Sequence, residues 1–413
     1  MCFRETDILL PKFAKTPELM QKWGVIACDQ YTSDISYWNK IKEFTGNNMS
    51  ALNLIFPEIY LETESEFEQE QRIKNIAETM KNYEKDMACY KNSMFYIERT
   101  LKNGAVRQGI IGAVDLEEYD YNKNAKAKIR STEETVPSRI PPRLKIRENA
   151  LLELPHVMIL YNDEKNILMR ELEKNTENLE KIYDFELTQN NGKIKCYNLD
   201  RKNIDYIKQT FNNFNNGGIL FAVGDGNHSL ATAKECWENI KEAISPEEYI
   251  NHPARYALAE IVNIYDKSLE FEPIYRILFE IDPLNVIKEM RKVFDISEDT
   301  PSGKNYQEFD IYYGENSKKI YVNNPEYYLP VKTLQIFLDD YLRNHSGKID
   351  YIHGKSETIE FTKKDNAIGF VFDTIKKSDL FSAIAKDGVL PRKTFSMGEA
   401  DDKRFYIECR KIK

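Results

Sequence analysis

The stretch that most constrains the fold is GGILFAVGDGNHSLATAKECWENIK, residues 217–241. Gly217 and Gly218 open a short apolar run, Ile219 to Val223, with the length and residue types of a buried strand. Gly224, Asp225, Gly226, Asn227 and His228 form a tight polar turn. From Ser229 onward, Leu230, Ala231, Ala233, Cys236, Trp237 and Ile240 fit a helix with one apolar face. A strand that passes through glycines into a helix leaves backbone N–H groups without intrahelical partners, and their partial positive charge suits phosphate or carboxylate. Asp225 can bind a cation or take a proton, and His228 can donate to an anion. The ordinary readings stand beside these: Asp225 as a helix cap, His228 as a satisfied surface histidine. The spacing is neither the dinucleotide-binding GxGxxG nor the P-loop GxxxxGK(S/T), so neither mechanism transfers.

An anion site needs positive charge, and the chain as a whole is negative at −9, which argues against non-specific binding to nucleic acid or anionic membrane. The positive charge gathers in KNAKAKIRSTEETVPSRIPPRLKIR, residues 123–147. There Lys123, Lys126, Lys128, Arg130, Arg139, Arg143, Lys145 and Arg147 outnumber Glu133 and Glu134. Pro137, Pro141 and Pro142 argue against a long helix, so the expectation is an ordered loop or short extended pieces. Its guanidinium groups suit bidentate phosphate contact. The alternative is a surface loop that balances the acidic helix expected at 62–89.

The 413 residues, with 41% hydrophobic and 30% charged, are enough for two soluble globular domains or one elaborated domain. Six scattered cysteines without a CxxC pair fit a reducing compartment. No run approaches 18 apolar residues and the start lacks a signal-peptide core, so a cytoplasmic location is expected. Along the chain, VIAC before Asp29 makes that residue a strand-end carboxylate or a turn stabiliser. Asn103-Gly104 and Asn191-Gly192 mark hairpins. Helices are expected near 165–174, 201–213, 284–294 and 331–344, with a domain boundary near 245–255. That divides the chain into an N-terminal α/β region, 1–250, carrying the basic segment and the turn, and a C-terminal α/β region, 251–413, completing the site. The fold class is α/β in the broad sense, a mixed α+β chain.

Several runs together resemble a known family: GAVDLEEYDY (112–121), STEETVPSRIPPRLKIRENALLELPHVM (131–158), VGDGNHSLATAK (223–234), EIVNIYD (260–266), EFEPIYR (270–276), DYIHG (350–354) and GVLPRKTFSMGEA (388–400). They are similar to the family catalogued as domain of unknown function 1015, over nearly the whole chain. That family's central motif usually reads DGHHR and resembles the DGHTR-type turn of ParB/sulfiredoxin-like proteins. The resemblance implies a ParB/sulfiredoxin-like core, with a mixed sheet and surrounding helices, and phosphorylation of free L-serine to O-phosphoserine. It also implies pyrophosphate or a nucleotide (ATP or ADP) as donor, and Mg2+. Carried onto this chain, Gly224, Gly226, Asn227, Ser229, Arg139, Arg143, Lys145 and Arg147 would hold the donor beside His228. Asp225, Asp29 or Glu133 would take the hydroxyl proton or hold the metal, and Arg130 would pair with the substrate carboxylate. Asn227 and Ser229 depart from the family's His and Arg, and Tyr275 stands where histidine is common. A second reading is a nucleotide-dependent binding or switch protein with a DNA partner, against which stand the −9 charge and the lack of a helix-turn-helix signal. A thiol enzyme would need a reactive cysteine by the turn, and Cys236 falls on the helix's apolar side.

Overall fold

The computed structural model describes residues 1–28, 31–32, 34–214, 218–303, 305–364 and 366–413. The expectation for Asp29 falls outside them. The chain forms two compact units, Met1–Leu269 with Gly398–Lys413, and Glu270–Met397. The crossing comes later than the expected 245–255, for a physical reason. Tyr256–Asn263 pairs antiparallel with Val106–Asp115 and parallel with Met158–Tyr161, so it is an interior strand of the first unit and cannot be parted from it.

Among the described residues the first unit holds a ten-stranded mixed sheet. From one edge the order is Glu180–Glu186, Lys193–Asn198, Phe95–Thr100, Val106–Asp115, Tyr256–Asn263, Met158–Tyr161, Phe221–Asp225, Ile129–Ser131 and Tyr119–Asp120, with Phe3–Arg4 added against Val106–Asp115. Both Asn-Gly signals do close hairpins, with Gly104 and Gly192 at φ +83° and +82°. The alternation of strand side chains sorts the core onto two faces. Phe95, Ile97, Ile111 and Leu258 pack under the N-terminal helices and the returning C-terminal segment. Tyr96, Ile110, Ala257, Ala259 and Ile261 face the other way, against the helices Ile167–Asn175, Arg201–Phe214 and Asn227–Lys241.

Two expectations are corrected. The charged run at 62–89 breaks into Ile59–Thr63, the helix Glu66–Glu84 and the strand Met87–Ser93, because Ser65 and Glu68 form a capping box that starts a new helix. The basic segment is extended only in its first part, which supplies the strand Ile129–Ser131; the second part is helical. Pro137–Arg139 is a short 3-10 turn and Ile140–Asn149 an α-helix. Its prolines fall at the first helical positions, where no N–H is needed and φ is already helical.

The second unit is built on an antiparallel sheet ordered Ile296–Ser297, Asn316–Asn323, Tyr306–Tyr313, Ala367–Val371, Phe271–Phe279 and Lys348–His353, with Phe395–Met397 added to Phe271–Phe279. The helices Pro283–Val293 and Pro330–Asn344 fall where expected. Arg276, fully buried, donates to the carbonyls of Arg392 and Lys393 and to Gln335, so the PRKTF run is bound into this unit. Among the described residues no helix is long and apolar enough to cross a membrane.

Candidate functional site

Phe221–Asp225 runs between Met158–Tyr161 and Ile129–Ser131, and its C-terminal end delivers the expected turn. Gly226 sits at φ +82°, a conformation that costs an L-residue roughly 1–2 kcal/mol. A Cβ there would stand 3.0 Å from Val157 Cα. Gly226→Ala should therefore destabilise the protein by about 2 kcal/mol, read as a lowered denaturation midpoint. An unchanged midpoint would show that the turn relaxes freely.

The helix Asn227–Lys241 starts at this turn with no side-chain cap on its first amides. Residues 224–229 are all half-buried, so the start of the helix is partly shielded from solvent. Asp225 Oδ1 accepts from Gly226 N at 2.8 Å, and Asp225 Oδ2 lies 3.3 Å from Lys403 Nζ. His228 Nε2 accepts from the Val136 amide at 3.1 Å, which puts a neutral ring's proton on Nδ1. The same bond ties the turn to the start of the basic segment. Asn227 Nδ2 reaches Thr132 Oγ1 at 3.5 Å, while its buried Oδ1 has no partner among the described residues. Ser229 Oγ lies 3.1 Å from His156 Nε2, and His156 Nδ1 lies 2.8 Å from the Tyr406 hydroxyl.

The expected cations divide. Arg143 pairs with Glu58 and donates to the Arg139 carbonyl at 2.8 Å. Burial raises the Tyr406 phenol above its usual range, with Glu58, Asp225 and Cys28 adding to the rise and Arg143 opposing it. Arg143, Glu58 and Asp225 therefore lie near enough to Tyr406 to act on it electrostatically. Arg139 is exposed beside this group. Lys145 points to Glu70 at 2.8 Å and Arg147 to the buried Glu153 at 2.6 Å, both away from the turn. Arg130 alternates with buried Ile129 and Ser131 and donates to the Ala127 carbonyl at 2.8 Å; burial lowers its guanidinium pKa. Glu133 is half-buried just past the strand that pairs in parallel with Phe221–Asp225. Cys236 is 4% exposed and burial raises its thiol, which disfavours thiolate chemistry there.

Sequence reasoning did not single out Lys403, Tyr406, His156 or Glu58. The first two lie on the C-terminal segment, which returns to the first unit, where Tyr406 N donates to Val25 O at 2.8 Å. Buried Arg99 donates to the carbonyls of Asp401, Asp402 and Lys403, and Arg107 donates to that of Asp402. Lys403 is thus held from behind by two guanidiniums. The signals were present as KRFYIE and LPHV, but neither marks a partner across 150 residues or more.

A carboxylate, an ammonium, two histidines and uncapped amides around one turn, with a guanidinium–carboxylate pair nearby, can bind an anion and move a proton. The chain matches none of the curated proteins it was compared with. Among solved structures it is similar to a free serine kinase in complex with AMP, with 12% identity and a TM-score of 0.40, covering 73% of this chain and 91% of that one. It is also similar to a mutant free serine kinase in complex with ADP, with 11% identity and a TM-score of 0.41 over 73% and 91% of the two chains. A third is C-terminally truncated SbnI from Staphylococcus aureus, with 7% identity and a TM-score of 0.38 over 72% and 85%. The model of the family described as "Protein of unknown function (DUF1015)" matches residues 10–340, most of the chain, and the protein belongs to that family.

Proposed function

We propose that the protein is a phosphotransferase that moves a phosphoryl group from pyrophosphate or a nucleotide to a free hydroxy amino acid, L-serine giving O-phosphoserine. The observation that carries this reading is the Lys403–Asp225 pair set against the uncapped start of the helix Asn227–Lys241. Phosphoryl transfer asks a protein mainly for positioning and for fixed positive charge where phosphate oxygens gain negative charge. The amides of the first helical turn and Lys403 supply that charge. Asp225 is the carboxylate placed to take the acceptor's hydroxyl proton. An amino acid also carries a carboxylate and an ammonium, and the Arg143–Glu58 pair offers one partner for each. Arg130, which donates to the Ala127 carbonyl through Nε alone, is the other candidate for the substrate carboxylate.

Mg2+ fits as an ion that arrives with its donor. Among the described residues no group of three acidic, histidine or cysteine side chains could hold a metal alone. Mg2+ ordinarily takes one or two carboxylates and completes its shell with phosphate oxygens and water. With Asp225 as the base, the half-buried Glu133 would hold it, and the ion would neutralise charge on the donor oxygens.

The test offers purified protein and Mg2+ pyrophosphate, ATP or ADP as donor against L-serine and related hydroxyl metabolites, with products read by mass spectrometry. O-phosphoserine from one donor, lost in Asp225→Asn, is the expected result. Donor binding by thermal shift without any product would turn the reading toward a nucleotide-dependent switch. Absence of both would sink the phosphate site.

A further inference from the structure

Ser229 is the third residue of its helix, and its hydroxyl does not turn back onto the helix backbone but points to His156 Nε2 at 3.1 Å. His156 is held on its other side, Nδ1 lying 2.8 Å from the Tyr406 hydroxyl, with the two rings 5.0 Å apart. Tyr406 is fixed in turn by an isolated bridge to Val25. The backbone before His156 is fixed by Arg404, which donates to the Pro155 carbonyl. Two tautomers satisfy both ring nitrogens; the one that arms the serine has Nδ1–H donating to the Tyr406 oxygen and Nε2 accepting the Ser229 proton. A hydroxyl, a base within hydrogen-bond reach and a third group orienting that base are the arrangement that arms a serine nucleophile. All three side chains are half-buried, and none is sealed in the core.

We propose that Ser229 is a nucleophile activated by His156, and that it accepts the phosphoryl group before the acceptor does. The activation stands on this geometry alone; the role as carrier rests on the phosphotransfer reading. In the first displacement the Ser229 Oγ–H bond breaks, its proton passes to His156 Nε2, and an Oγ–P bond forms. The P–O bond to the leaving group breaks, and phosphate (from pyrophosphate) or ADP (from ATP) departs with the electron pair. In the second, the acceptor hydroxyl attacks the same phosphorus and gives its proton to Asp225. The Oγ–P bond then breaks, and Ser229 recovers its proton from His156.

Two measurements on the full-length protein test this. A fluorophosphonate probe reports activation without any phosphoryl donor. It should label Ser229, located by peptide mass spectrometry, and His156→Gln should slow the labelling about 100-fold, within the range typical of a general base. Equal labelling rates in parent and His156→Gln, with both folded by circular dichroism, would overturn activation. Incubation with Mg2+ and pyrophosphate or ATP, without acceptor, should leave phosphoserine at 229 that is chased by L-serine. Product formed by Ser229→Ala at the parent rate would overturn the carrier role while leaving the phosphotransfer reading intact. Probe labelling that depends on His156, with no product from any donor, would uphold the nucleophile and bring down the phosphotransfer reading instead.

Discussion

Lys403→Met should lower the turnover of phosphotransfer by about 100- to 1,000-fold while the protein stays folded, the cost usual for removing one fixed electrostatic group from a developing oxyanion. The side chain is 15% exposed and stands 3.3 Å from Asp225, so its charge acts with reduced solvent screening. Its backbone is clamped by Arg99, so the ammonium is placed before any donor arrives. A loss confined to kcat would mark an interaction made in the transition state, and a rise in KM alone would mark plain donor binding. The measurement is steady-state kinetics with the denaturation midpoint followed in parallel. Turnover within about threefold of the parent, in a folded variant, would remove Lys403 from the machinery and with it the observation on which the functional reading rests.

Local signals were legible wherever one residue's chemistry decides a backbone conformation. Gly226 at positive φ, the Asn-Gly hairpins and the helices at 283–293 and 330–344 belong to this group. So does the strand–turn–helix that carries Asp225, Asn227, His228 and Ser229. The basic segment misleads because a proline breaks a helix in its interior but starts one at its first turn. Its charges misled because a lysine or arginine declares its sign but not its partner. Lys145 and Arg147 settle on Glu70 and Glu153, while Arg143 pairs with Glu58 beside the exposed Arg139. Lys403, Tyr406 and His156 were illegible for a different reason. They meet the turn only through long-range pairing, Tyr406 with Val25 and Arg404 with Pro155, and no periodicity in a single sequence encodes such a meeting.

That long-range pairing depends on a buried charge, and its removal is the largest stability effect expected. Glu260 lies within Tyr256–Asn263 at 3% exposure, its carboxylate 3.0 Å from Arg404 Nε and 3.9 Å from Arg107 Nε. Gly109 on the neighbouring strand makes the room, since a Cβ there would fall 2.4 Å from Glu260 Oε1. Arg99 lies in the same group, its guanidinium brought down to about 9 by burial and by the charge of Arg107, with Glu260 acting against the shift. Glu260→Ala would leave Arg99, Arg107 and Arg404 buried together, with Glu408 bonded to Arg404 as the remaining close carboxylate. Breaking a buried ion pair from one side typically costs about 3–5 kcal/mol. The denaturation midpoint should fall accordingly, by roughly 10 °C for a unit of this size. Glu260→Gln keeps the volume without the charge and should recover only part of the loss. Because Arg404 also holds Pro155 beside His156, phosphotransfer should fall in Glu260→Ala even at temperatures where the variant is folded. A Glu260→Ala protein melting within a degree or two of the parent would mean that the guanidiniums find water or carbonyl partners cheaply, and the C-terminal segment would then owe its place to its apolar residues, Phe405, Ile407 and Ile412.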